Sequence, residues 1–125
     1  MNSRMVDYLY IAATIAFTVY GQLIIKWRVG FYGQMPVESL EKIKFIIAVL
    51  LDPWVLTGLA AAFVASFAWI AAMSKFELSH AYPFMSLNFV VVLLLSGWLL
   101  NEPMTVSKTG GVILIIIGTM VASRG

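Results

Sequence analysis

"SHAYPFMSLNFVVVLLLSGWLLNEP", residues 79–103, decides how the chain is read. Its second half is an apolar run of the kind that crosses a bilayer, closed by Asn101, Glu102 and Pro103. Its first half sets His80, Tyr82, Pro83, Ser86 and Asn88 where hydrocarbon would favour leucine. Polar side chains in such a span are costly, and they mark a cavity, a polar pathway or a contact between helices.

The surrounding sequence makes the membrane reading firm. Of 125 residues, 62% are hydrophobic and 11% charged, and the mean hydropathy is +0.95. Soluble domains carry about 25% charged residues, too many for this chain to match. Charges are also absent where a membrane would exclude them. Asp7 is the only one between Met5 and Ile25, and none falls in 53–74, 78–101 or 109–123. Stretches of roughly 20 apolar residues fit a ~30 Å hydrocarbon core. The fold class is therefore an all-α integral membrane protein. The first stretch is longer than the apolar region of a signal peptide and no small-residue cleavage site follows it, so it is expected to remain as a span.

Several functions are excluded at once. With no cysteine, the chain has no disulfide, thiolate metal site or thiol nucleophile. A scattered net charge of +2 does not suggest nucleic acid as a partner. No metal-ligand cluster and no Ser-His-acid set has plausible spacing, so neither an enzyme nor a cofactor is expected.

Four transmembrane helices are predicted, over about 5–27, 53–75, 78–100 and 105–123, forming a single domain over 1–125. Lys26 and Arg28 are expected to snorkel to headgroups at the end of the first, with Trp27 and Tyr32 in an aromatic belt. Residues 37–51 form a shorter helix, interfacial or partly re-entrant. Asp52-Pro53 suits a helix start, with Asp as N-cap and Pro at the first helical position. In the second span Gly58 with Ala62, Ala61 with Ala65 and Ala68 with Ala72 follow small-xxx-small spacing. In the fourth, Gly111, Gly118 and Ala122 share a face. Such faces let helix backbones approach closely, and a glycine-lined last helix points to a dimer.

Thr14, Thr18, Gln22 and Lys26 recur every four residues and form one stripe, with Gly21 beside it. Lys26 either snorkels or faces a cavity; Gln22 is read as cavity-facing, because an amide cannot reach so far. Tyr82 and Ser86 lie on one side of the third span, and Asn88 on the neighbouring side. They serve either a site or helix–helix hydrogen bonding. His80 sits near the membrane boundary and is read as a solvated histidine. Asp7, Asp52, Glu77 and Glu102 all fall near predicted helix ends, leaving no buried acid for proton-coupled export of a cationic drug.

These residues carry a family resemblance over nearly the whole chain. "VYGQLIIKW" (19–27) and "AYPFMSLNFVVV" (81–92) followed by "NEP" (101–103) resemble motifs of the small four-helix drug/metabolite transporters. Within them, the pattern is similar to the flippase subunits for 4-amino-4-deoxy-L-arabinose-phosphoundecaprenol. The small multidrug resistance exporters share the four-helix layout, but Thr18 stands where they carry a first-helix glutamate. The resemblance implies a transporter of a polyprenyl-phosphate-linked sugar, located in the bacterial inner membrane and working as a homodimer or heterodimer with a sibling subunit. It implies positive charge for phosphate from Lys26 and Arg28, and hydrogen bonds for the sugar from Thr18, Gln22, Tyr82, Ser86 and Asn88. Glu102 either reads an amino sugar or caps the last helix. The alternatives are an exporter of a small metabolite or cation and a non-transporting accessory subunit.

Overall fold

The computed structural model describes residues 3–124, with the side chains of Ser3 and Arg4 outside that description. The described chain is all helical: α1 Ser3–Tyr32, α2 Ser39–Leu50, α3 Pro53–Met73, α4 Leu78–Met85, α5 Leu87–Leu99 and α6 Val106–Ala122. Three helical stretches are long and apolar enough to cross a membrane, Met5–Tyr32, Pro53–Met73 and Leu78–Leu99, and the 17-residue Val106–Ala122 is a shorter apolar helix. The protein is a small multi-pass membrane protein.

Its packing is that of a bundle dissolved in lipid. Large side chains such as Phe63, Ile70, Leu114 and Trp98 are exposed on the outside. The buried positions hold mostly small residues: Val55, Ala61, Ala65, Ala72 and Ala81. With acyl chains as apolar as leucine, helices gain by close backbone approach rather than by hiding large side chains. The tightest approach is between α1 and α3, where a Cβ on Gly21 would lie 2.8 Å from the Gly58 carbonyl oxygen. Beside it, Ala61 and Ala65 keep the seam narrow. By contrast, a Cβ on Gly111 or Gly118 of α6 would meet nothing within 4 Å. Those two glycines make no close contact of this kind among the described residues.

Two boundaries depart from the spacing in the sequence. The α1 helix does not stop near Trp27 but continues to Tyr32. The charge that seemed to end it, Arg28, is neutralised by Asp52 at 2.9 Å and covered by the rings of Trp27 and Phe31. Gly33, at φ +80°, then ends the helix in the left-handed conformation that glycine alone adopts freely. The stretch 78–99 is also divided, with a turn at Ser86. Pro83 has no N–H to give its helix, and its carbonyl accepts both the Ser86 N–H at 3.1 Å and the Thr119 hydroxyl at 3.2 Å. Buried Thr119 thus ties α6 to the joint between α4 and α5. Replacing it with isosteric valine should cost about 0.5–1.5 kcal/mol, the net worth of one such bond, read as a lower unfolding midpoint in a detergent titration.

At one end of the bundle Tyr8 of α1 and His80 of α4 are hydrogen-bonded at 2.9 Å. Phe76 stacks on the imidazole with centroids 5.5 Å apart. His80 is half-buried and engaged, not a freely solvated histidine. Its distance from Tyr8 in the chain hid that contact from sequence spacing.

Candidate functional site

A cavity of about 710 Å³ opens between α1, α3 and the broken α4–α5 stretch, with Ile115 of α6 at its edge. The four-residue rhythm of α1 points Thr14, Thr18 and Gln22 into it, over about 12 Å of helix at 1.5 Å per residue. From the opposite wall come Tyr82 and Met85 of α4, Ser86 at the joint, and Asn88 and Phe89 of α5. The turn at Ser86 allows residues on both helical pieces to face one space. The α3 wall adds Ser66 and Trp69, whose ring meets that of Tyr82 edge-on at 6.1 Å.

The cavity's chemistry is neutral. Among the described lining residues, tyrosine is the only titratable type. Thr14 spends its hydroxyl on the Tyr10 carbonyl at 2.8 Å, and Ser66 on that of Phe63 at 2.6 Å. Thr18, Gln22, Ser86 and Asn88 make no side-chain hydrogen bond among the described residues. Asn88 carries the sharpest signal, because its Oδ1 is buried with no donor. A buried unpaired carbonyl of this kind costs about 1–3 kcal/mol, a penalty relieved if the side chain turns to meet a donor.

The structure does not bring every predicted site residue to this space. Lys26 lies one turn beyond Gln22 on α1, exposed and without an acidic partner among the described residues. Arg28 is committed elsewhere. Its Nη2 and Nε donate to Asp52 at 2.9 and 3.2 Å, and Tyr32 donates its hydroxyl to the same carboxylate at 2.7 Å. Asp52 is 4% exposed and also caps α3 through the N–H groups of Trp54 and Val55. Arg28 is therefore a structural cation joining α1 to the start of α3, not a free one for phosphate. Glu102 corrects in the same way. It sits in the turn after α5, with its N–H on the Ser96 carbonyl, and does not line the cavity. The cap of α6 is Thr105, which accepts from the Lys108 N–H at 3.1 Å.

The Arg28 guanidinium, then the Tyr32 hydroxyl, hold the Asp52 carboxyl well below the usual carboxylate range, with the Trp54 and Val55 N–H groups helping against the effect of burial. A depressed folded value means that the stabilisation is complete above the unfolded value of about 3.9 and is lost as pH falls toward the folded one. The gap in thermal stability between wild type and Asp52→Asn should stay constant from about pH 8 to 5 and narrow only below about pH 4. A gap that closed near neutrality would contradict the arrangement.

Trp69 and Ser66 were not singled out by their sequence pattern. Both sit in a helix whose small-residue spacing reads as packing, and the signal available was a tryptophan following Ala62, Ala65 and Ser66 at helical intervals.

The chain is 34% identical to a protein from Serratia proteamaculans (strain 568) named probable 4-amino-4-deoxy-L-arabinose-phosphoundecaprenol flippase subunit ArnE, over 95% of this chain and 96% of the relative. It is 31% identical to a protein from Photorhabdus laumondii named as the corresponding subunit ArnF, over 96% and 98%. A Pseudomonas aeruginosa (strain UCBPP-PA14) protein named as subunit ArnE is 28% identical over 90% and 92%. No solved structure matches the chain significantly. Residues 4–124 match a family of membrane transporters rather than of enzymes, and on that near-complete match the chain belongs to the EamA-like transporter family.

Proposed function

We propose that this chain is one subunit of a dimeric transporter that moves a polyprenyl-phosphate-linked sugar between the leaflets of the bacterial inner membrane. In this reading it is a single transmembrane unit of four spans, α1, α3, α4–α5 and α6, with α2 lying at the interface. A 12-residue helix reaches only about 18 Å, too short to cross. The partner is a second copy or a sibling subunit. The open glycines of α6, Gly111 and Gly118, with Ala122 on the same face, support α6 as the packing surface.

The observation that carries the proposal is the convergence of Thr18, Gln22, Ser86 and Asn88, all uncommitted, on one cavity. A lipid-linked sugar has hydroxyls that need such partners and a tail that must stay in lipid. Tyr82 is 63% and Phe89 58% exposed at the cavity wall, which suits an opening toward acyl chains. Lys26, one turn further along α1, supplies charge for the phosphate. Buried acids of the kind that exchange a cation for a proton are absent from the described lining, which weighs against a cation exporter.

The test is reconstitution. Proteoliposomes carrying this chain, alone and with a sibling subunit, are loaded with a short-chain prenyl-phosphate pentose, and its arrival in the opposite leaflet is followed with an impermeant periodate reagent. Protein-dependent transfer of that lipid, with no proton current, is the expected result. A proton current driven by small cations, with no lipid movement, would replace the proposal with the exporter reading, and no transport of either would support an accessory subunit.

A further inference from the structure

The geometry points to a cavity that reads its ligand as an uncharged, hydroxyl-bearing ring, with Trp69 as the platform for the ring's apolar face and no counter-charge for an amine among its described lining residues. This inference rests on the transport reading above and names what its site selects. A sugar ring has two chemistries, a face of C–H groups and a rim of hydroxyls. The cavity offers both complements. Trp69 of the α3 wall and Tyr82 of the α4 wall meet at 6.1 Å, and Thr18, Gln22, Ser86 and Asn88 make no side-chain hydrogen bond around the same space among the described residues.

What the lining leaves out decides the selectivity. An ammonium moved from water into a low-dielectric site without an opposing charge is disfavoured, and its amine is driven toward the neutral form. The acids that could compensate lie elsewhere. Asp52 is consumed by Arg28 and Tyr32, Glu102 sits in the α5–α6 turn, and Asp7 and Glu77 border a separate cleft with Lys75 and Arg124. A cavity built this way hydrogen-bonds an amine only as it does a hydroxyl. An amino group on the sugar therefore earns no affinity from its charge.

The experiment measures equilibrium binding to the full chain in nanodiscs for three short-chain lipids: prenyl phosphate, prenyl-phosphate pentose and prenyl-phosphate 4-aminopentose. The neutral pentose lipid is expected to bind at least as tightly as the amino one at pH 6, and roughly tenfold more tightly than bare prenyl phosphate. Raising the pH to 9 should strengthen only the amino lipid. Trp69→Ala should weaken both sugar lipids roughly tenfold and leave prenyl phosphate unchanged, with Trp69→Phe restoring most of the loss. Gln22→Leu, at an exposed position whose side chain makes no hydrogen bond among the described residues, should likewise weaken both sugar lipids and leave prenyl phosphate unchanged. Sugar-lipid binding unaltered in both Trp69→Ala and Gln22→Leu overturns the inference. Tighter binding of the amino lipid than of the neutral one at pH 6 overturns the inference while leaving the transport proposal standing. If neither sugar lipid binds better than prenyl phosphate, the sugar assignment itself fails, and this inference with it.

Discussion

Replacing Lys26 with alanine should lower lipid transfer roughly 10- to 100-fold, the cost of losing one charge-assisted contact to a phosphate, and leave the bundle as stable as wild type. Its ammonium is exposed and pairs with no acid among the described residues, so its removal strands nothing. Arg28→Ala, two positions away, should do the reverse. That change leaves the Asp52 carboxylate, 4% exposed, without its cation and with Tyr32 and two backbone N–H groups as its remaining partners. Truncating one partner of a buried pair is far more damaging than the pair is stabilising. Arg28→Ala should therefore lose much of its folded, monodisperse protein in detergent, with any remaining folded fraction still active. Transport measured per folded molecule, beside a thermal melt, separates the two outcomes. Equal stability of both variants would refute the assignment of Arg28 as structural.

Gly21→Ala is the second large effect, expected to cost about 1–3 kcal/mol by overpacking. The added Cβ would stand 2.8 Å from the Gly58 carbonyl oxygen, a backbone atom, so no side chain can swing aside and the two helices must part. Gly58→Ala is milder, since its Cβ meets the Gly21 oxygen at 3.2 Å. The control is Gly30→Ala, whose Cβ would meet nothing within 4 Å. There alanine should stabilise the helix by about 0.5–1 kcal/mol through lost unfolded-state freedom. Unfolding of the three variants by a denaturing detergent should rank them in that order, and a Gly21→Ala protein as stable as Gly30→Ala would contradict the close α1–α3 crossing.

The sequence makes some of this legible and hides the rest for a definite reason. Gaps between charges reveal the apolar helices because hydrocarbon excludes ions one residue at a time, a cost visible without any neighbour. Asp52-Pro53 announces the start of α3 because capping is local chemistry. The four-residue rhythm of Thr14, Thr18 and Gln22 shows that they share a face, and in the structure that face meets Tyr82, Ser86 and Asn88 across one cavity. Periodicity says which residues lie together on a helix but not what lies opposite. Arg28 therefore read as a free cation, although Asp52, 24 positions on, holds it. Thr119 carries no signal in the sequence, although it supports the Pro83 carbonyl 36 positions away. The Tyr8 partner of His80 and the capping of α6 by Thr105 rather than Glu102 stay hidden for the same reason, since a position near a helix end shows nothing about the company a residue keeps in three dimensions.

The turn at Ser86 falls within the cavity wall and not at its edge, so that wall is two levers sharing a pivot. The shorter lever, the eight residues of α4, is about 12 Å long, and a tilt of about 10° at the pivot would sweep its far end through roughly 2 Å. Thr119 donates to the carbonyl just upstream of that pivot, so a shift of α6 large enough to drag this bond would also tilt the shorter lever.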